Sequence, residues 1–142
     1  GKSTVLSYHD SAALMHINRV TSLWELLGSK VTVLDAELHD QIFAYTSHLP
    51  HVVAYALLNT LKGLDKDDLS LFSGGGLGEF LRLVSSSPEI WTDIFSMNEK
   101  NISIAIEELI QNLNLLNDQI SNEPEILRNL LIELKDFKES NY

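Results

Sequence analysis

The feature that most constrains the fold is a regular seam of apolar residues in the C-terminal half of the chain. Ser87 and Pro88 are typical of a helix start, and the segment they open predicts one helix from Pro88 to about Gln119. The seam residues have the a/d spacing of about three and a half heptads, which requires a second helix against them, from this chain or another. They are Phe95, Ile102, Ile106, Leu109, Leu113, Leu116 and Ile120. A further amphipathic helix is predicted from Pro124 to Lys138.

The first 34 residues follow a different pattern. Residues 3–7 and 30–34 predict two short strands, and apolar residues recur every three or four positions between them, which predicts a helix that ends at Gly28. A strand-helix-strand unit favours a parallel sheet, and two strands alone make a poor one. We therefore expect residues 1–34 to be a β-α-β remnant of a nucleotide-binding domain and residues 35–142 to form an all-helical domain.

Composition narrows the possible partners. The net charge of −10 argues against nucleic acid or an anionic membrane as partner, because both favour clustered Lys and Arg. The longest apolar run, residues 52–58, is far shorter than a membrane helix, and no secretory signal is visible. The chain has no cysteine, so it forms no disulfide and no thiolate zinc site. A cytoplasmic protein is the expectation.

Two histidines mark the middle of the all-helical part. Asp35 is a plausible N-cap, and the pattern after it predicts one long helix from residue 36 to residue 62, bent near Pro50. His48 and His51 are three residues apart, so they share one face of a helix. Three interpretations are open: core histidines satisfied by hydrogen bonds, a substrate-binding or proton-handling pair, or a metal site. The metal interpretation is the weakest, because the pair supplies only two ligands.

A glycine run precedes the next predicted helix, which extends from Leu77 to about Val84. The run covers residues 74–76, but position 79 is Glu, so the pattern is not the G-x-G-x-x-G of a dinucleotide loop. A tight backbone turn is the better interpretation. Arg82 follows this run. Between Val31 and Glu99, the only other positively charged residues are Lys62 and Lys66. An anionic substrate would need such a local exception to the negative net charge.

Three motifs carry a resemblance to a known family. They are Ser47-His48-Leu49-Pro50-His51, then Gly74-Gly75-Gly76 with Phe80 and Arg82, and then Ser87-Pro88-Glu89-Ile90-Trp91. In order and spacing they closely resemble the C-terminal domain of prephenate dehydrogenases, over about residues 3–120. The resemblance implies a mainly α fold, the helical dimerisation domain of the prephenate dehydrogenase or 6-phosphogluconate dehydrogenase-like type. One difference is that family members often have Asp-Phe-Thr-Arg where this chain has Glu79-Phe80-Leu81-Arg82.

The resemblance also implies a function. Prephenate dehydrogenases oxidatively decarboxylate prephenate to 4-hydroxyphenylpyruvate in tyrosine biosynthesis. Their NAD or NADP site and their catalytic histidine belong to an N-terminal domain that has no counterpart in these residues. We therefore expect this chain to have no catalytic, cofactor or metal residues, to be inactive alone, and to supply a homodimer interface and the substrate side of the pocket. The substrate-binding residues that the resemblance implies are Ser47, His48, His51, Arg82 and Trp91, with Arg82 gripping a carboxylate.

Two alternatives are open. One is an arogenate dehydrogenase, in which an amino group replaces the keto group of the substrate. The other is a non-catalytic module that binds tyrosine, a common feedback inhibitor in the family, or that only dimerises.

Overall fold

Two short parallel strands flank the first helix. A computed structural model describes residues 1–9, 14–64 and 74–141. The strand-helix-strand unit consists of β1 (Ser3–Tyr8), α1 (Leu14–Leu26) and β2 (Lys30–Asp35). The strands pair in parallel, with Ser3 opposite Lys30 and Tyr8 opposite Asp35, as the pattern predicts. From their residue types, Asp10 or Ser11 is predicted to cap this first helix, but both lie outside the described residues.

Gly28 ends α1 in the predicted way. Its φ of 84° is in the left-handed region, which only glycine adopts without strain. Its N–H bonds to the carbonyl of Glu25 at 2.9 Å, and the N–H of Ser29 bonds to the carbonyl of Trp24 at 3.0 Å. This pair of bonds is a Schellman motif, which turns the chain sharply from α1 into β2.

The rest of the described chain is helical. Asp35 caps the first of these helices by accepting a hydrogen bond from the N–H of Leu38. The elements are α2 (Ala36–Phe43), a π-helical turn (Ala44–His48), α3 (Leu49–Leu61), α4 (Gly75–Leu81), a 3₁₀ turn (Arg82–Ser85), α5 (Pro88–Met97), α6 (Glu99–Asn122) and α7 (Pro124–Asn141). Within the described residues, no helix is both long enough and apolar enough to cross a membrane. The predicted mainly α class is confirmed.

One predicted helix is wrong. The segment from Pro88 to Gln119 is broken at Asn98, whose φ of −117° and ψ of 27° are not helical. The N–H of Asn98 bonds back to the carbonyl of Ile94, and its own carbonyl accepts from the N–H of Ile102, so α5 ends where α6 begins. Phe95 therefore lies on α5, and the seam on α6 begins only at Ile102.

The chain divides into two compact units, residues 1–102 and residues 103–142. In the first, Ala44, Ala54 and Ile102 are the buried apolar residues, and they are joined by two buried polar ones, His48 and Asn98. The second exposes many large apolar side chains, among them Leu113, Ile120, Leu131, Leu134 and Phe137. The predicted division between residues 34 and 35 stays a prediction.

Candidate functional site

A π-helical turn lies at the centre of the candidate site. The N–H of Leu49 bonds to the carbonyl of Ala44, five residues earlier, where a regular α-helix would use the fourth. The turn ends two residues before Pro50, which has no N–H and whose ring would collide with the carbonyl four residues earlier in a regular helix. The predicted single helix over 36–62 is therefore three segments. A π turn changes the direction of the side chains around it, here Ser47, His48 and His51.

An aromatic cluster connects α3 to α5. The imidazole of His51 stacks on the indole of Trp91, with ring centroids 3.5 Å apart and planes at 23°. His48 meets the edge of the same indole at 6.1 Å and 82°. Phe95 packs against Trp91 at 5.4 Å, and Tyr55 packs edge-on against Phe95 at 6.3 Å. The structure thus brings His48, His51 and Trp91 together.

The hydrogen bond of His51 determines which nitrogen carries its proton. Its Nδ1 lies 2.9 Å from the backbone carbonyl of Ser47, and a carbonyl can only accept, so Nδ1–H donates. The other nitrogen, Nε2, is then left free for a ligand, and it is an acceptor while the ring is neutral. Among the described residues, the Ser47 hydroxyl also has no hydrogen-bond partner, and Ser47 is half-buried.

His48 is held by a residue that is 50 positions away in the chain. The side-chain nitrogen of Asn98 donates to the carbonyl of Asp40 at 2.7 Å and to Nδ1 of His48 at 3.2 Å. Its side-chain oxygen accepts from the amide of Asn101 at 2.8 Å, which fixes the orientation of the Asn98 amide. The carboxylate of Asp40 in turn accepts from Nδ1 of His39 at 2.9 Å, and His39 stacks on Phe43. These bonds give His39 and Asp40 a structural role.

Burial keeps His48 uncharged. His48 is only 9% exposed, and this burial lowers the pKa of its imidazole below the ordinary 6.5. The carboxylate of Asp40 opposes the shift, while His39 and His51 add to it. A neutral His48 fits the hydrogen bond from Asn98, because Nδ1 must be unprotonated to accept it.

Arg82 occupies a separate position from this cluster. It is exposed and opens the 3₁₀ turn, which packs against α3, the helix that carries His51. Within the described part of the chain, its guanidinium has no hydrogen-bond or ion-pair partner. The structure therefore places Arg82 on an element next to the histidine helix, but shows no hydrogen bond, ion pair or ring contact between Arg82 and the other four predicted residues.

Within the described ranges, the residues do not fit a resident metal or a dinucleotide. No group of three His, Cys, Asp or Glu side chains within residues 1–9, 14–64 and 74–141 could hold a metal ion. The glycine run opens α4 with Gly74 extended at φ −74° and ψ 164°, and the last described element before it is the helix α3, not a strand of a β-α-β unit. The interpretation of this run as a backbone turn, not a phosphate cradle, agrees with that placement.

Sequence reasoning missed Asn98 as the partner of His48, and Tyr55 and Phe95 as members of the aromatic cluster. Asn98 is of a residue type that ends and caps helices, and Glu99 follows it with an acidic side chain in the first turn of α6. These two residue types could have predicted the break between α5 and α6. Tyr55 lies one helical turn beyond His51, and its hydroxyl oxygen is buried without a hydrogen-bond partner among the described residues.

The family model that matches this chain is described as prephenate dehydrogenase, dimerization domain, and it covers residues 35–133. Among curated proteins, the chain is 31% identical over 107 residues to a cyclohexadienyl dehydrogenase of Zymomonas mobilis and 28% identical over 109 residues to a prephenate dehydrogenase of Bacillus subtilis. The matches cover 73% and 75% of this chain, but only 36% and 29% of those proteins.

Solved structures agree with the family match. A prephenate dehydrogenase of Aquifex aeolicus, crystallised with hydroxyphenyl propionate and NAD⁺, is 36% identical with a TM-score of 0.88, over 99% of this chain and 50% of that one. A Synechocystis arogenate dehydrogenase shares the fold, with a TM-score of 0.83 at 24% identity over 99% of this chain and 52% of its own. The chain thus spans about half of these solved chains. It belongs to the prephenate dehydrogenase family of oxidoreductases, and residues 35–133 are its dimerization domain.

Proposed function

We propose that this chain forms the substrate-side half of a prephenate dehydrogenase pocket, with Ser47, His48, His51, Arg82 and Trp91 as substrate-binding residues. The observation that carries the proposal is the stack of His51 on Trp91 beside the π turn. The stack fixes an imidazole on α3 whose Nε2 has no partner among the described residues. π turns occur frequently at functional sites.

Charge supports an anionic ligand near Arg82. Prephenate carries two carboxylates, and a chain of net charge −10 repels such a molecule except where a cation is exposed. The guanidinium of Arg82 is exposed and has no ion-pair partner in the part of the chain that the structure describes, so no internal carboxylate competes for it. A guanidinium binds a carboxylate through two parallel N–H···O bonds. We assign Arg82 to one substrate carboxylate.

The polar groups around the stack suit the rest of such a ligand. The free Nε2 of His51 can accept a hydrogen bond from a ring hydroxyl, and the Ser47 hydroxyl can donate or accept. The partly exposed indole of Trp91 offers an apolar surface for a six-membered ring. These groups bind and orient the substrate, and they do not by themselves remove a hydride or carbon dioxide.

The complete reaction is proposed for the intact enzyme. Prephenate and NAD⁺ or NADP⁺ would give 4-hydroxyphenylpyruvate, carbon dioxide and the reduced cofactor. Because the described residues do not fit a dinucleotide, we expect the 142-residue chain to bind no NAD and to produce no NADH from prephenate. The NAD⁺ in the Aquifex structure belongs to a chain of which this one covers half.

A homodimer is part of the same proposal. The matched family model is a dimerization domain. The second compact unit exposes large apolar side chains, with Ile120 66% and Phe137 61% exposed, and surface of this kind favours association. Light scattering during size exclusion should give twice 15.9 kDa. A mass near 15.9 kDa would contradict the homodimer.

The direct test is a thermal-shift titration of the chain with prephenate, 4-hydroxyphenylpyruvate and tyrosine. At 100 times its dissociation constant, a ligand should stabilise the fold by about 2.7 kcal/mol. We expect Arg82→Ala to abolish the shift. Lys62→Ala, which removes another exposed cation directly after α3, is the matched control and should keep it. No shift with any of the three ligands would contradict a substrate half-site preformed in this chain.

The same titration separates the alternatives. The name of the Zymomonas relative, a cyclohexadienyl dehydrogenase, is consistent with either prephenate or arogenate as substrate, so arogenate should be included. Tighter binding of arogenate than of prephenate would reassign the substrate. A response to tyrosine alone would favour the non-catalytic binding module.

A further inference from the structure

One buried amide connects three separate segments at the histidine site. Asn98 lies at the junction of α5 and α6, and it is 6% exposed. Its side chain donates to the carbonyl of Asp40 at the middle of α2 and to Nδ1 of His48 at the end of the π turn. The break between α5 and α6 is therefore the point from which a side chain reaches across 50 residues of sequence to the predicted substrate-binding histidine.

The bonds of Asn98 leave one arrangement of protons. The carbonyl of Asp40 can only accept, so the atom 2.7 Å from it must be the nitrogen of the Asn98 amide. The amide of Asn101 donates to the other atom, which must be the oxygen. Nδ1 of His48 therefore faces an N–H donor and must accept. In neutral His48 the proton is then on Nε2, the only ring nitrogen left for a ligand.

We propose that Asn98 is a positioning residue that holds His48 in the neutral Nε2–H form, so that His48 presents a hydrogen-bond donor to an oxygen of the substrate. The inference rests on the proposed function in one respect, namely that His48 is a substrate-binding residue. The assignment of the proton itself rests only on the hydrogen bonds within this chain.

The groups around His48 agree with an uncharged ring. The carboxylate of Asp40 from α2 favours the charged form, whereas His39 from α2 and His51 from α3 disfavour it. From α5, the indole of Trp91 meets the ring at 82°, and from the junction with α6 the neutral Asn98 amide approaches it, itself bonded to the neutral Asn101 amide. Burial is the largest influence and lowers the pKa of His48. A proton on Nδ1 would also point at the N–H of Asn98, so geometry and burial act in the same direction.

The two histidines then have opposite roles. His51 donates through Nδ1 and leaves Nε2 as an acceptor, whereas His48 accepts through Nδ1 and leaves Nε2–H as a donor. Three residues apart, at the end of the π turn and in the first turn of α3, they offer a ligand one acceptor and one donor. That combination matches a substrate that carries both a hydroxyl and carboxylate or keto oxygens.

The test is ¹⁵N NMR of the histidine rings in the 142-residue chain at pH 7.5. Two-bond ring correlations distinguish protonated from unprotonated nitrogens, and the His48→Gln spectrum identifies the His48 signals among the five histidines. We expect a protonated Nε2 and an unprotonated Nδ1 for His48. This measurement needs no variant of Asn98, and a protonated Nδ1 would overturn the assignment.

The substitution Asn98→Asp replaces the hydrogen-bond donor opposite Nδ1 of His48 with an acceptor. A carboxylate opposite Nδ1 should move the proton of His48 to Nδ1 and raise its pKa. Asn101→Ala is the matched control for the network, because it removes only the bond to the Asn98 oxygen, and the proton should stay on Nε2. Asn112→Asp, an exposed position on α6, controls for the added charge. An unchanged His48 tautomer in Asn98→Asp would contradict the proposed role of Asn98.

Ligand binding tests whether the Nε2–H of His48 contacts the substrate, independently of the tautomer. Asn98→Asp should weaken the binding of 4-hydroxyphenylpyruvate about tenfold or more, because a donor is lost where a ligand oxygen lies. Unchanged binding together with a moved proton would show that Asn98 sets the tautomer but does not position a substrate-binding donor. Failure of the unsubstituted chain to bind would contradict the proposed function, whereas the tautomer of His48 would still be read from the NMR spectrum.

Discussion

The imidazole of His51 lies almost parallel to the indole of Trp91, with their ring centroids 3.5 Å apart. The two residues come from different helices, α3 and α5, and 40 positions separate them in the sequence. Because Nδ1 of His51 is already bonded to the carbonyl of Ser47, the stack and this hydrogen bond together fix the ring in one orientation. A binding group that is fixed in advance loses less conformational entropy when a ligand arrives.

Replacing Trp91 should loosen the contact between α3 and α5. Trp91→Leu removes the stack on His51 and the contact with Phe95, so we expect a loss of about 2 kcal/mol in the free energy of unfolding. Urea denaturation measures it. Trp24→Leu on α1, where the indole is 40% exposed, is the matched control and should change the free energy by less than about 0.5 kcal/mol. Equal effects of the two substitutions would contradict a specific role for the stack.

The stability of the fold should fall when the pH drops below 6.5. In the folded chain the pKa of His48 is lower than 6.5, so at acid pH the unfolded chain binds a proton that the folded chain does not. The free energy of unfolding is then fully retained above 6.5 and decreases as the pH falls through the window between the folded and unfolded pKa values. Chemical denaturation at a series of pH values measures this slope.

His48→Gln isolates the contribution of this one group. Gln keeps an acceptor for the Asn98 amide but does not titrate, so the variant should show a shallower loss of stability below pH 6.5. His16→Gln changes an exposed histidine on α1 and serves as the control, with the slope of the unsubstituted chain. If the free energy of unfolding had the same pH dependence in all three chains, a buried neutral His48 would be contradicted.

The cap at Ser87 should stabilise the helix that carries Trp91. The Ser87 hydroxyl oxygen accepts from the N–H of Ile90 at 3.4 Å, and the hydroxyl donates to the carboxylate of Glu89 at 2.7 Å. Ser87→Ala should therefore cost about 1 kcal/mol in the free energy of unfolding, and Ser85→Ala, which changes an exposed serine without a capping bond, should cost clearly less.

The hydrogen bond from Ser87 also lowers the pKa of Glu89. In Ser87→Ala this pKa should rise toward 4.5, which NMR titration of the carboxyl group would detect.

Two glycines should respond in opposite directions to the same substitution. Gly28→Ala places a Cβ at φ 84° and should cost about 1 kcal/mol, although the space around it is open. Gly78→Ala lies inside α4, also in open space, and should gain up to about 1 kcal/mol from helix propensity. Thermal denaturation of the two variants measures both changes. A gain in Gly28→Ala would contradict the Schellman turn between α1 and β2.

Local signals in the sequence were sufficient for much of the fold. The strand-helix-strand unit, the stop at Gly28, and the caps at Asp35 and Ser87 all follow from side-chain periodicity and from short-range hydrogen bonds. The physical reason is that these features depend on residues within one or two turns of each other, so a few neighbouring side chains decide them. The family was also readable from the residues, because its motifs retain their order and spacing.

The sequence was less informative about the helix breaks. Pro50 indicated an irregularity near residue 50, but not that it is a π turn over residues 44–48. The seam from Phe95 to Ile120 favoured one continuous helix, since apolar spacing alone is compatible with helix on both sides of Asn98. The break gives Asn98 bonds to Asp40 and His48 that a continuous helix does not predict. A buried amide that is fully bonded at a distance can outweigh the local preference for an unbroken helix.

The sequence by itself determined the elements of this protein, its mainly helical class and its family, together with the residue types that a substrate pocket would use. Only the tertiary structure decided which nitrogen of His48 is free, which aromatic ring His51 stacks on, and which residue holds His48. These depend on contacts between residues about 40 and 50 positions apart. Such contacts form only when the helices pack, because the partner of a buried polar group is chosen by distance and direction in space and not by position along the chain.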